Sequence, residues 1–286
     1  MNLLNKYIAD QSHSNERYYL LRILTGAIIC IWITFTIDVD FYSSLPESMY
    51  KPNFILFFIP YLNFSQLFVF KVLSILIGLL FIIGFRIKYT SKLFFLLFFF
   101  LLAYLSAFDL NIWNGNNHLL FILFLLACVS SDSKITPAIN ADKNVQLVLF
   151  LIQLYIGVLY FQAFLSKMIF AGMNWFIEGN TIRANIIFSG TEIGKQISIH
   201  SHLFAFFGIC TMLIEFSILP LIFFRKYFLA GLLGILFHLS TWIFLDISFW
   251  FLWLLYPILF LYEIRLFRKL ELSLIILFVT VFLLFI

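Results

Sequence analysis

Runs of about 20 apolar residues recur along the chain, each long enough to cross the roughly 30 Å hydrocarbon layer of a bilayer as a helix. Inside hydrocarbon every backbone N–H and C=O must find a partner within the chain, which leaves closed barrels or helices. The runs here are continuous rather than alternating, so they read as helices. Composition agrees: of 286 residues, 63% are hydrophobic and 11% charged, 40 are Phe, and the mean hydropathy is +1.05. The expected fold is an all-α, polytopic membrane bundle forming one domain over residues 1–286.

About nine spans (eight to nine) are expected: 19–37, 65–85, 93–109, 118–130, 145–170, 203–224, 227–245, 248–262 and 270–286. The segment 54–64 is apolar but broken by Pro60, and reads as a surface or re-entrant piece. The first 18 residues are polar and mixed, unlike a cleavable signal peptide. Cys30, Cys128 and Cys210 fall in apolar spans without CxxC pairing, so neither a disulfide framework nor a cysteine metal site is expected.

Basic residues set a direction. A cytoplasmic N-terminus puts Lys6, Arg17, Arg22, Arg86, Lys88, Lys92, Lys134, Lys143, Arg225, Lys226, Arg265, Arg268 and Lys269 inside and only Lys51, Arg183 and Lys195 outside, with Lys71 and Lys167 in or beside spans. The expectation is a multi-pass protein of the cell membrane with an extracytoplasmic C-terminus. The long connections 38–64 and 171–202 then lie outside, which makes the outer face the working face. The net charge of +4 is ordinary for such a protein and points to no nucleic-acid partner. Membrane lipid is the expected surrounding, and the sequence leaves the oligomeric state open.

Polar side chains at membrane depth are costly and mark candidate sites. Lys167 ends the apolar stretch that contains Tyr160, Ala163 and Phe164. It reads either as a lysine snorkelling to the headgroups or as a partly desolvated amine serving as a base. Trp113-Asn114-Gly115-Asn116-Asn117-His118 places many donors at the start of a span. His118 is either a cap there or part of a site for a polar headgroup or anion. Glu215, in mid-span just before Pro220, must be neutral or paired, and reads as packing glue or as a site residue. His238 carries the same two readings. The histidines show no i,i+4 pair and no carboxylate triad, so no metal is expected. Phosphate-loop, dinucleotide and serine-elbow motifs are missing.

The order of these features resembles the horizontally transferred transmembrane (HTTM) domain, the membrane part of vitamin K-dependent gamma-carboxylase. The resemblance is carried by Gly84–Ser91, Trp113 to His118, Tyr160-Phe161 through Lys167 with Trp175 and Glu178-Gly179 following, and Phe237-His238 with the aromatic run Phe249 to Trp253. It covers about residues 17–265. It implies a lysine base, Lys167, acting toward a reduced quinone (a vitamin K-type hydroquinone), and a matching histidine, His118. It also implies Asn116, Asn117, Tyr160, Trp175 and His238 as the cofactor surroundings. In the family, the oxygenated hydroquinone becomes a strong base that deprotonates glutamate, and the carbanion adds carbon dioxide. Two features depart from that pattern. Residues 168–174 intervene before Trp175 without an acid, and the large lumenal domain that binds a propeptide has no counterpart in the sequence. Small bacterial members resemble the sporulation-delaying toxin maturation proteins. The implied function is therefore a quinol- or lipid-dependent enzyme that modifies or matures an exported peptide at the outer face. The other class is a non-catalytic maturation, immunity or transport accessory that binds a secreted peptide.

Overall fold

The computed structural model describes residues 13–52, 58–108, 115–129, 143–247, 249, 252 and 254–262. No strand occurs among them. They fall into two compact units, one from His13 to Val148 and one from Leu149 onward.

The first unit is built from α1 (Ser14–Thr36), a short α2 (Val39–Ser44), α3 (Phe64–Ile83), α4 (Ile87–Ser106) and α5 (Gly115–Cys128). Local chemistry fixes the boundaries. Asn63 and Gln66 form a reciprocal capping box that starts α3. Gly84, at φ 86, ends it in the left-handed region open to glycine. A Cβ at Gly84 would run into the Arg22 guanidinium, which donates to the Ile82 carbonyl at 3.4 Å. Helix α3 packs on α1 and α4, while α5 packs on α4 and α1. Tyr18 ties α1 to the end of α5 through the carbonyls of Leu126 (3.1 Å) and Val129 (2.7 Å). Lys71, inside α3, donates to the carbonyls of Thr34 (2.9 Å) and Ile37 (2.8 Å), at the C-terminal end of α1.

The second unit takes up α6 (Lys143–Ala171) from Leu149 onward. It continues with α7 (Asn174–Glu178), α8 (Asn180–Ser189), α9 (Glu192–Ile197), α10 (His202–Phe223) and α11 (Tyr227–Leu245), and ends in a π-helical turn, Pro257–Leu261. Helix α10 packs on α7, α8 and α11; α11 packs on α8, α9 and the π turn. Gly157 lets α6 approach Leu219 and Ile222 of α10. Helix α10 continues through Pro220, which lies near its C-terminal end.

Among the described residues, six helices (α1, α3, α4, α6, α10 and α11) are long and apolar enough to cross a membrane. Large apolar side chains on them are outward-facing, among them Val69, Leu76 and Ile83 on α3 and Phe206 and Leu213 on α10. Contiguous exposed apolar surface of this kind suits lipid rather than water. The architecture is compatible with a multi-pass membrane protein.

Two expectations change. The span expected at 118–130 is α5, whose 14 residues reach about 21 Å at 1.5 Å per residue, less than a bilayer core. The connection expected at 171–202 is largely helical, as α7, α8 and α9. The span expected at 248–262 is partly described and contains helical residues at Leu252 and Tyr256 and the π turn; the span expected at 270–286 and the basic cluster at 265–269 lie outside the described residues.

Candidate functional site

Two polar clusters lie inside the second unit, and both are anchored on α6. Tyr160 and Lys167 are seven residues apart, two helical turns or about 10 Å along one face. Phe164, one turn from each, lies between them.

At Lys167 the ammonium meets Glu215 of α10, Nζ to Oε1 2.5 Å. The carboxylate side is buried, with Glu215 2% exposed, while the lysine side chain is 24% exposed. The ammonium also lies 5.1 Å from the ring centroid of Trp175, a cation–π contact. Phe164 packs against Phe216 (5.3 Å) and Phe176 (5.9 Å), and Phe176 against Trp175 (5.0 Å), which walls the pair with aromatic rings. The second carboxylate oxygen, Oε2, is buried and has no partner. A buried acceptor without a donor costs about 1–3 kcal/mol, and more for a charged group.

Backbone contact at two glycines brings Trp175 to this position. A Cβ at Gly208 would overlap the Phe176 carbonyl, and one at Gly179 would overlap the Phe204 carbonyl. Gly179 also turns the chain between α7 and α8 at φ 63. The absence of side chains there lets α7 lie directly on α10.

Two turns back along α6, the Tyr160 hydroxyl lies 2.8 Å from His238 Nε2 and 3.1 Å from the Tyr256 hydroxyl; His238 Nε2 and the Tyr256 hydroxyl are 3.2 Å apart. All three side chains are buried. Gly234, one turn before His238, makes room for the Tyr256 ring. Beside the triangle, Gln153 donates to the Leu259 carbonyl at 2.5 Å, tying α6 to the π turn.

The remaining candidates lie in the first unit. Asn116, Asn117 and His118 occupy the first turn of α5. Successive helical residues diverge by about 100°, so neighbours do not share a face. Asn116 is buried, Asn117 exposed and His118 half-buried. Trp113 and Asn114 lie outside the described residues.

Sequence reading singled out Lys167, Glu215, Trp175, Tyr160 and His238 separately, and the fold brings them together as a pair with its aromatic wall and as a triangle. It overlooked Tyr256. It also left Lys167 and Glu215 unpaired, although a base and an acid at membrane depth each demand a partner. No group of His, Cys, Asp or Glu among the described residues has a metal-holding arrangement. No family model, curated protein or solved structure matches the chain.

Proposed function

We propose that this is a multi-pass membrane enzyme of carboxylase-like type. It handles protons at the Lys167–Glu215 pair toward a reduced quinone and acts on an exported peptide at the outer face. The observation that carries the reading is the unpartnered Oε2 of Glu215, buried beside a partly exposed lysine. A ligand hydroxyl would satisfy that oxygen. The rings of Phe164, Phe216, Phe176 and Trp175 suit a flat apolar ligand. The residues present therefore fit a hydroquinone: Glu215 to accept from a hydroxyl, Lys167 to exchange its proton, and the aromatic wall to exclude water. When bound, and with dioxygen as the oxidant, such a group would supply the strong base that the amino-acid side chains lack. Lys167 would carry the proton and Glu215 would orient the amine. The order of sequence motifs, which resembles that of the HTTM domain, supports the same reading.

The pairing itself favours a second reading, a maturation, immunity or transport accessory in which Lys167 is a fixed charge for a secreted peptide. One substitution separates them. Lys167→Arg keeps a cation for Glu215 but cannot give up its proton in this range. With purified protein in lipid discs, aerobic consumption of a reduced naphthoquinone is expected for the native chain and lost in both Lys167→Arg and Lys167→Ala. Full activity of Lys167→Arg would abandon the base and leave the anchor.

A further inference from the structure

Counting protons in the Tyr160–His238–Tyr256 triangle selects the histidine tautomer. If Nε2 carries the proton, it donates to one phenol, one phenol donates to the other, and the last phenol proton has no acceptor. Nδ1 is then a bare acceptor as well, so two groups go unmet. If Nε2 is bare, Tyr256 donates to Tyr160 and Tyr160 donates to Nε2 across the shortest edge, 2.8 Å. Both hydroxyl protons are placed, and one group remains, an Nδ1–H donor. Nδ1 is buried without a partner, in a side chain that is 5% exposed. Buried polar groups in folded proteins are nearly always satisfied, so an orphan of this kind asks for an acceptor.

We propose that His238 Nδ1–H is a ligand-binding donor that takes the carbonyl oxygen of a neutral, apolar molecule entering from the bilayer. The surroundings decide the class. The His238 ring lies 5.0 Å from that of Phe249, 5.5 Å from Phe237, 5.6 Å from Tyr256 and 5.8 Å from Tyr160. An anion among these rings would lose its hydration for a single hydrogen bond. A molecule with donors alone offers nothing to an N–H. A carbonyl on an apolar skeleton meets both conditions, and a quinone and an ester-linked lipid both carry one. The site uses atoms separate from Lys167 and Glu215, and it rests on the proposed function only in the choice of a quinone as probe.

The test uses the full chain in discs of ether-linked phospholipid, which lacks ester carbonyls. An oxidised naphthoquinone is titrated while tryptophan fluorescence and the quinone carbonyl stretch are followed. Saturable quenching and a carbonyl band moved to lower frequency are expected. His238→Phe should weaken binding about tenfold, the loss of one hydrogen bond worth about 1.4 kcal/mol, and remove the band shift. His238→Gln, whose amide both accepts from Tyr160 and donates, should stay close to the native chain and guards against a folding defect. Binding of the oxidised quinone calls for no proton transfer at Lys167, so failure of the proposed base chemistry leaves this result standing. On the unsubstituted protein, the nitrogen-15 spectrum should show His238 protonated at Nδ1. If ester lipid is the occupant, that Nδ1 signal shifts between ether-linked and ester-linked discs and the quinone competes less well in the latter. Equal binding by the native chain and His238→Phe, a proton on Nε2, or no quinone binding together with no shift between lipids would overturn the proposal.

Discussion

The Lys167 ammonium and the Glu215 carboxylate lie 2.5 Å apart across α6 and α10, with the acid buried and the base partly exposed. The pair alters what substitution at Lys167 should do. As an unpaired desolvated ammonium, Lys167 would be removed at no cost to the fold. Paired, its loss strands a buried carboxylate.

Lys167→Ala is therefore expected to destabilise the protein by about 3 kcal/mol, the low end for breaking a buried pair because the lysine side is partly solvated. Lys167→Ala with Glu215→Ala should recover most of that loss. Thermal unfolding in detergent, read as a double-mutant cycle, gives the coupling. Additive single effects would mean that the pair does not form in the membrane.

Gly208→Ala should force α7 away from α10. The new methyl meets the backbone carbonyl of Phe176, which cannot rotate aside as a side chain would. A cost of about 1–3 kcal/mol is expected, with Trp175 displaced from Lys167. A lower melting temperature together with altered tryptophan emission checks this. Unchanged emission would separate Trp175 from the glycine contact.

Lys71→Met should cost about 1.5 kcal/mol in stability. The ammonium satisfies two carbonyls at the C-terminal end of α1, where the helix leaves acceptors unpaired and the dipole favours a cation. Lys88→Met, at an exposed position, is the control and should be near neutral. Equal melting temperatures for both variants would show that Lys71 contributes nothing as a pin.

With α5 crossing by local thinning of the bilayer, as the basic-residue bias requires, reporter fusions after Tyr89, Asn140 and Lys226 should read cytoplasmic, and one at Asn180 external. The basis is the 13-to-3 bias of basic residues. The reverse pattern would move the Lys167 cluster to the cytoplasmic side and remove the exported peptide as a partner.

Much of the architecture was legible in the sequence because its causes are local. Apolar run length and the demand for internal backbone hydrogen bonds give helices at 64–83, 143–171, 202–223 and 227–245 within a few residues of the sequence reading. Helix α5, Gly115–Cys128, corresponds to the apolar segment read at 118–130. Apolar character at 118–130 was clear, but the helix begins earlier, at Gly115, and its length depends on where it stops. The helices within 171–202 were missed because polar residues and glycines there imitate a loop, while the contacts of Gly179 and Gly208 that seat α7 involve distant backbone.

For the candidate site, sequence alone determined which residues were out of place in hydrocarbon: Lys167, Glu215 and His238. Tertiary structure alone decided their partners. Lys167 and Glu215 are 48 residues apart, and Tyr160 and Tyr256 are 96 apart. A polar group's cost at membrane depth is a property of the residue and its span, so the sequence carries it. The partner that offsets the cost depends on which helix faces meet and how closely small residues let them approach, and only packing of the folded chain fixes that.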